Sequence, residues 1–101
     1  MRVDVRAQKG ANNSLKPIKM FMKSTCPYCM EARRWMNVLI AENEKYKSLE
    51  ITMVDENVHP DIAAQYDYYY VPTYYVGDEK VHEGAANREK VKRVFDLAAE
   101  Q

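Results

Sequence analysis

Hydrophobic and polar positions change period several times along the chain, and each change marks an element. IKMFMK, residues 18–23, is a short apolar run followed at once by the loop-like KSTCP, which predicts a mostly buried strand. From Pro27 onward Ala32, Trp35, Met36, Leu39 and Ile40 recur at spacings of three and four, with Glu31, Arg33, Arg34 and Asn37 on the other face; this predicts a long amphipathic helix over 27–44. LEITMVD, 49–55, alternates with Leu49, Ile51 and Met53 on one face and reads as a second strand. NVHPDIAAQYD, 57–67, reads as a short helix with Pro60 tolerated in its first turn. VPTYYVGDEKVHEG, 71–84, holds two strand-like runs joined at Gly77-Asp78, a pair suited to a tight hairpin. The last element is a helix over 87–99, its apolar stripe formed by Val91, Val94, Phe95 and Ala98 and its N-cap by Asn87. Trp35, Met36 and Phe95 are expected in the core.

Residues 1–16 are mostly polar, and KGANNS is rich in turn formers, so this segment is expected to be a tail or a short extra strand ahead of one domain over 17–101. A strand, a long helix and a second strand in succession imply a right-handed parallel crossover. The hairpin then adds two strands, at least one of them antiparallel. The expected architecture is α/β: βαβ, then α, then ββα, a four-stranded mixed sheet with helices on both faces.

Composition narrows the function. At 101 residues the chain can bury a single core without a metal or disulfide to hold it. Fifteen Lys plus Arg balance fifteen Asp plus Glu, so there is no basic footprint for nucleic acid. No segment approaches a membrane span and MRVDVRAQKG lacks the apolar run of a signal peptide, so a cytoplasmic monomer with no nucleic-acid or membrane partner is expected.

The chain has two cysteines, Cys26 and Cys29, in TCPYC at the start of the long helix. In a reducing compartment such a pair is catalytic or metal-binding more often than a structural staple. Pro27 suits the first helical position, where its missing N–H is no loss. That places Cys26 at the N-cap facing solvent, and Cys29, three residues before Ala32 on the apolar stripe, facing inward. The unpaired N–H groups and positive end of the helix favour an anion at Cys26, and Lys23 adds a cation nearby. A thiol of pKa about 8.5 is only about 3% ionised at pH 7, whereas one near 6 is about 90% ionised. Other readings fit less well. A bridge closing so small a loop would stabilise by about 2 kcal/mol before strain. A zinc site would need two more ligands, and His59 and His82 stand at spacings that match no compact zinc motif, so no metal is expected.

With the strand-helix-strand order, KSTCPYC at 23–29 resembles the glutaredoxin active site, and Val71-Pro72-Thr73 resembles the loop shared across the thioredoxin superfamily. The resemblance implies a thioredoxin fold and a thiol-disulfide oxidoreductase in which Cys26 attacks and Cys29 resolves. It further implies a cis peptide before Pro72, with the Val71 backbone opposite Cys26, where it can pair with a peptide or glutathione. By the same carry-over Lys23 would bind a glutathione carboxylate, Tyr28 would flank the ligand, and Gly84 would belong to the glutathione-holding turn. Glutathione is the implied reductant, with no bound cofactor. The implied partners are disulfide-containing proteins, glutathione mixed disulfides and a reductase.

The chain departs from that pattern. Glutaredoxins usually have Thr-Val-Pro, then a Gly-Gly pair followed by Asp; here Tyr70-Val71-Pro72 is followed by Glu83-Gly84-Ala85-Ala86-Asn87, and Glu83 would repel a glutathione carboxylate. HEGAAN also resembles the Val-Gly-Ala turn of thioredoxins, but the buried acidic residue those proteins carry six before the first cysteine is Met20 here. The alternative is therefore a thioredoxin-like disulfide reductase recharged by a flavoprotein, and a metal or iron–sulfur carrier is a third class that Pro27 disfavours. Six of the eight tyrosines lie in YDYYYVPTYY, 66–75. Tyr68, Tyr69 or Tyr70 is expected to form an aromatic platform for a protein substrate, with Tyr74 and Tyr75 packed within a strand.

Overall fold

A computed structural model describes residues 15–99, so the expected tail or extra strand over 1–16 lies almost wholly outside the described residues. The element order is β1 (Ile18–Met22), α1 (Pro27–Glu42), a 3-10 turn (Glu44–Ser48), β2 (Ile51–Asp55), α2 (Pro60–Ala63), β3 (Thr73–Val76), β4 (Glu79–Glu83) and α3 (Arg88–Ala99). The strands form one sheet in the order β2-β1-β3-β4, with β1 parallel to β2 and antiparallel to β3, and β3 antiparallel to β4. This is the expected mixed four-stranded sheet.

The central strands are covered on both faces, which is why IKMFM and TYYV read as nearly continuous apolar runs. On one face Ile18, Met20, Met22, Tyr74 and Val76 meet Cys29, Ala32, Met36 and Leu39 of α1 and Val91, Val94, Phe95 and Ala98 of α3. On the other, Phe21, Val54 and Tyr75 gather Ile62 and Ala63 of α2 with Tyr66 and Tyr68 beyond it. Phe21 is the centre of that second cluster, its ring 4.6 Å from Tyr66, 4.9 Å from Tyr68 and 5.8 Å from Tyr75.

Four expectations change. The second helix spans Pro60–Ala63 rather than 57–67, because Tyr66 and Tyr68 turn inward onto Phe21 and a continuing helix could not deliver both. The first helix ends at Glu42, where Asn43 takes extended backbone and its side chain accepts the Lys45 N–H at 3.1 Å to start the 3-10 turn. Met53 is exposed, at 45%, and Val54 is the buried residue of β2, since this edge strand lies only partly beneath the helices. Trp35 is half-buried: its indole N–H donates to Glu31 at 3.0 Å and Arg34 lies over its ring. The expected hairpin and last helix stand, with Gly77 at φ +60 supplying the turn and Asn87 Oδ1 capping the Lys90 N–H at 2.9 Å.

Candidate active site

β1 leads out of the sheet at Met22, and the Cys26 N–H closes a turn on the Lys23 carbonyl at 3.1 Å. Cys26 is then the α1 N-cap in extended conformation (φ −83, ψ 122), followed by Pro27 in the first helical turn. Its carbonyl receives the N–H groups of Cys29 at 3.1 Å and Met30 at 3.0 Å, while its sulfur is held by no formal capping hydrogen bond. Cys26 is half-exposed, Cys29 fully buried, and both are free thiols. The backbone N–H of Lys23 reaches the Cys29 sulfur at 3.5 Å, so the strand exit and the helix start are tied through the inner thiol.

The two sulfurs titrate in opposite directions. Partial burial opposes ionisation of Cys26, but the Cys29 amide, the Cys29 thiol, the Tyr28 amide and the Lys23 ammonium together outweigh it and hold its pKa below the ordinary 9.0. The Cys29 N–H is already committed to the Cys26 carbonyl, so its help to the sulfur is that of a nearby dipole. Burial pushes Cys29 up to about 11; the Lys23 N–H resists, while the Cys26 thiolate and the Glu56 carboxylate add to the rise. At pH 7 roughly one Cys29 in 10,000 is therefore ionised. Of the two, the outer sulfur ionises the more easily and the inner one stays protonated.

The peptide between Val71 and Pro72 is cis. Pro72 is fully buried, and Val71 and Cys26 both border the core cluster that contains Cys29. Gly84, at φ +98, donates its N–H to the Pro72 carbonyl at 2.9 Å and so ties the end of β4 to the same loop. Tyr28 projects outward at 62% exposure. The expected platform divides: Tyr68 stacks on Phe21 and donates its hydroxyl to Glu56 at 2.7 Å, while Tyr69 and Tyr70 stand 87% and 70% exposed. Tyr74 and Tyr75 are buried, as expected.

One carboxylate escaped the sequence reading, and a second takes partners that it did not foresee. Glu56 pairs with Lys23 at 3.4 Å, so the cation beside Cys26 already has a partner. The parallel pairing of β1 with β2 carried the signal, because it sets the residue after each strand side by side, and the Glu56 N–H in fact donates to the Met22 carbonyl at 3.0 Å. Glu83 was expected to face a glutathione carboxylate, but it binds the Lys80 ammonium at 2.8 Å and accepts the N–H groups of Tyr69 and Tyr70. No local pattern announces a side-chain bond to backbone 13 and 14 residues away.

A family model described as a thioredoxin domain matches residues 16–96. The chain belongs to the thioredoxin-domain family. Solved structures of the same fold include the thioredoxin Mala s 13 of Malassezia sympodialis, 14% identical, covering 86% of this chain and 77% of that one at a TM-score of 0.68. The oxidised thioredoxin of Plasmodium falciparum is 17% identical over 86% of this chain and 84% of its own, with a TM-score of 0.66. A thioredoxin-like protein from Clostridium perfringens is 26% identical, covering 87% and 74%, with a TM-score of 0.61. A search of curated protein sequences gives no match. Family membership and the paired cysteines at the head of α1 together support a thiol oxidoreductase.

Proposed function

We propose that the protein reduces disulfides in other proteins by a dithiol mechanism. One observation carries the reading: a half-exposed sulfur held acidic at a helix mouth, three residues before a buried sulfur held protonated. The Cys26 thiolate attacks one sulfur of the substrate disulfide, the substrate S–S bond breaks, and the displaced thiolate takes a proton from solvent. Converting Cys26 into a mixed disulfide removes its negative charge, and with it two of the causes that keep Cys29 protonated. Cys29 then loses its proton and attacks the Cys26 sulfur, releasing the second substrate thiol. The substrate gains two electrons and two protons, and the enzyme is left with a Cys26–Cys29 disulfide, to be reduced by two electrons from a donor.

The donor that fits best is a flavoprotein disulfide reductase. The cation expected to hold a glutathione carboxylate, Lys23, is already engaged by Glu56, and the chain lacks the Gly-Gly pair and Asp of the glutaredoxin pattern. Glutathione as donor is the second reading, favoured by the CPYC motif itself and by the exposure of Tyr28 beside it. A coupled assay separates them. Insulin reduction sustained by NADPH and a thioredoxin reductase, with little sustained by glutathione and its reductase, supports the first reading; the reverse pattern supports the second. If neither donor sustains insulin reduction and dithiothreitol cannot drive it either, the proposal falls.

A further inference from the structure

The segment that carries the cis proline is held by two kinds of side-chain hydrogen bond and by one main-chain bond from the end of β4. The Tyr70 N–H goes to Glu83 Oε2 at 2.8 Å, the Tyr70 carbonyl receives the Thr73 hydroxyl at 2.5 Å, and the Pro72 carbonyl receives the Gly84 N–H at 2.9 Å. Glu83 Oε2 takes the Tyr69 N–H as well, while Glu83 Oε1 is held by Lys80 at 2.8 Å. Among the described residues this leaves the N–H and C=O of Val71 without a hydrogen-bond partner. An adjacent donor and acceptor on one residue is what an extended polypeptide requires in order to pair by its main chain. Just before Val71 in the chain, Tyr69 and Tyr70 project into solvent as large, largely apolar side chains.

From this geometry we infer that Glu83 is a positioning residue for protein substrates: by gathering the Tyr69 and Tyr70 amides it fixes the loop so that the Val71 backbone and the two tyrosine rings meet an extended, disulfide-bearing segment beside Cys26. Main-chain pairing at Val71 is what the family resemblance implies; the part assigned to Glu83 is added to it, and rests on the proposed reduction of protein disulfides. Two charge-assisted hydrogen bonds accepted by one carboxylate are strong enough to hold a loop of this length, and the Lys80 ion pair keeps the carboxylate in place. A small disulfide makes no use of the Val71 edge or the tyrosines, so its reduction reports on the thiols alone.

The experiment compares wild type, Glu83→Ala and Glu83→Gln with insulin and with bis(2-hydroxyethyl) disulfide, dithiothreitol serving as reductant. The inference predicts a KM for insulin raised about tenfold in Glu83→Ala, the effect of losing charge-assisted hydrogen bonds that order the binding loop. Glu83→Gln, which keeps an acceptor oxygen without the charge, falls between. Turnover of the small disulfide and the pH profile of Cys26 alkylation stay as in wild type, and amide exchange at Tyr69 and Tyr70 quickens. Should Glu83→Ala not fold, the Glu83→Gln shift in insulin KM carries the test. An unchanged insulin KM in the variants, or an equal loss with both substrates, overturns the inference alone. A wild type that reduces the small disulfide and leaves insulin intact overturns the reading beneath it.

Discussion

Cys26 owes its lowered pKa to neighbours of unequal weight, and the order of those neighbours makes predictions. After burial, which opposes ionisation, the Cys29 amide and thiol rank first among its stabilisers and the Lys23 ammonium last. Cys29→Ala keeps the amide but removes the thiol, which outranks Lys23, so it should raise the Cys26 pKa more than Lys23→Ala does, whereas Cys29→Ser, which keeps a hydroxyl donor, should raise it less than Cys29→Ala. Iodoacetamide rate profiles against pH for the three variants check the order, and an equal or larger rise in Lys23→Ala would contradict it. For Cys29 the sign reverses: Glu56 is an anion that disfavours a second anion, so Glu56→Gln should lower the Cys29 pKa from about 11. Thiol titration in a Cys26→Ala background, with and without the Glu56 change, measures that shift directly. At this scale the two sulfurs were legible in the sequence, because a Pro after Cys26 and an apolar stripe after Cys29 fix which one faces out. The partners of Glu56 and Glu83 were not, because they are brought together by sheet pairing and by a loop, neither of which leaves a local spacing.

Among the elements, the face of the sheet covered by α2 rests on a few aromatic side chains, and Phe21 touches three of them. Phe21→Ala should cost about 3–5 kcal/mol of unfolding free energy, whereas Met53→Ala on the exposed side of β2 should stay within about 0.5 kcal/mol. Urea denaturation of both variants tests the pair, and a large loss for Met53→Ala would mean that β2 buries the face its alternation suggests. That alternation misled because β2 is an edge strand, where periodicity indicates a face without indicating how far the helices cover it. The helix over 57–67 was overextended for a related reason: Tyr66 inside that span and Tyr68 just past it keep a strand-like period of two, and packing on Phe21 decides in its favour. The long helix, the hairpin and the last helix were legible because their turn chemistry, Pro27, Gly77 and Asn87, agrees with their periodicity.

For the molecule as a whole, neutral net charge hides a set of carboxylates held below their ordinary range. Glu83 is lowered from 4.5 to about 2 by Lys80 and the amides of Tyr69 and Tyr70, and Asp55 is lowered by the Asn57 amide. Asp96 is lowered as well: its burial acts the other way, but the Tyr46 hydroxyl and Lys92 outweigh it. A carboxylate depressed on folding contributes stability that is present above its unfolded pKa and is lost as pH falls through the folded one. For Glu83 that window runs from 4.5 down to about 2, so unfolding midpoints in urea should fall across it, and less steeply in Glu83→Gln. A midpoint independent of pH in that window would contradict the assignment. The thioredoxin fold itself positions the chemistry: two parallel strand ends and one helix mouth converge, with a cis-proline loop alongside. The most direct test of the whole account is the rate of Cys26 alkylation by iodoacetamide between pH 4 and pH 10, where Cys29, at about 11, remains largely protonated. The account predicts a single inflection clearly below 9.0, lost on Cys26→Ser; an inflection at or above 9.0, or alkylation that persists in the serine variant, would contradict it.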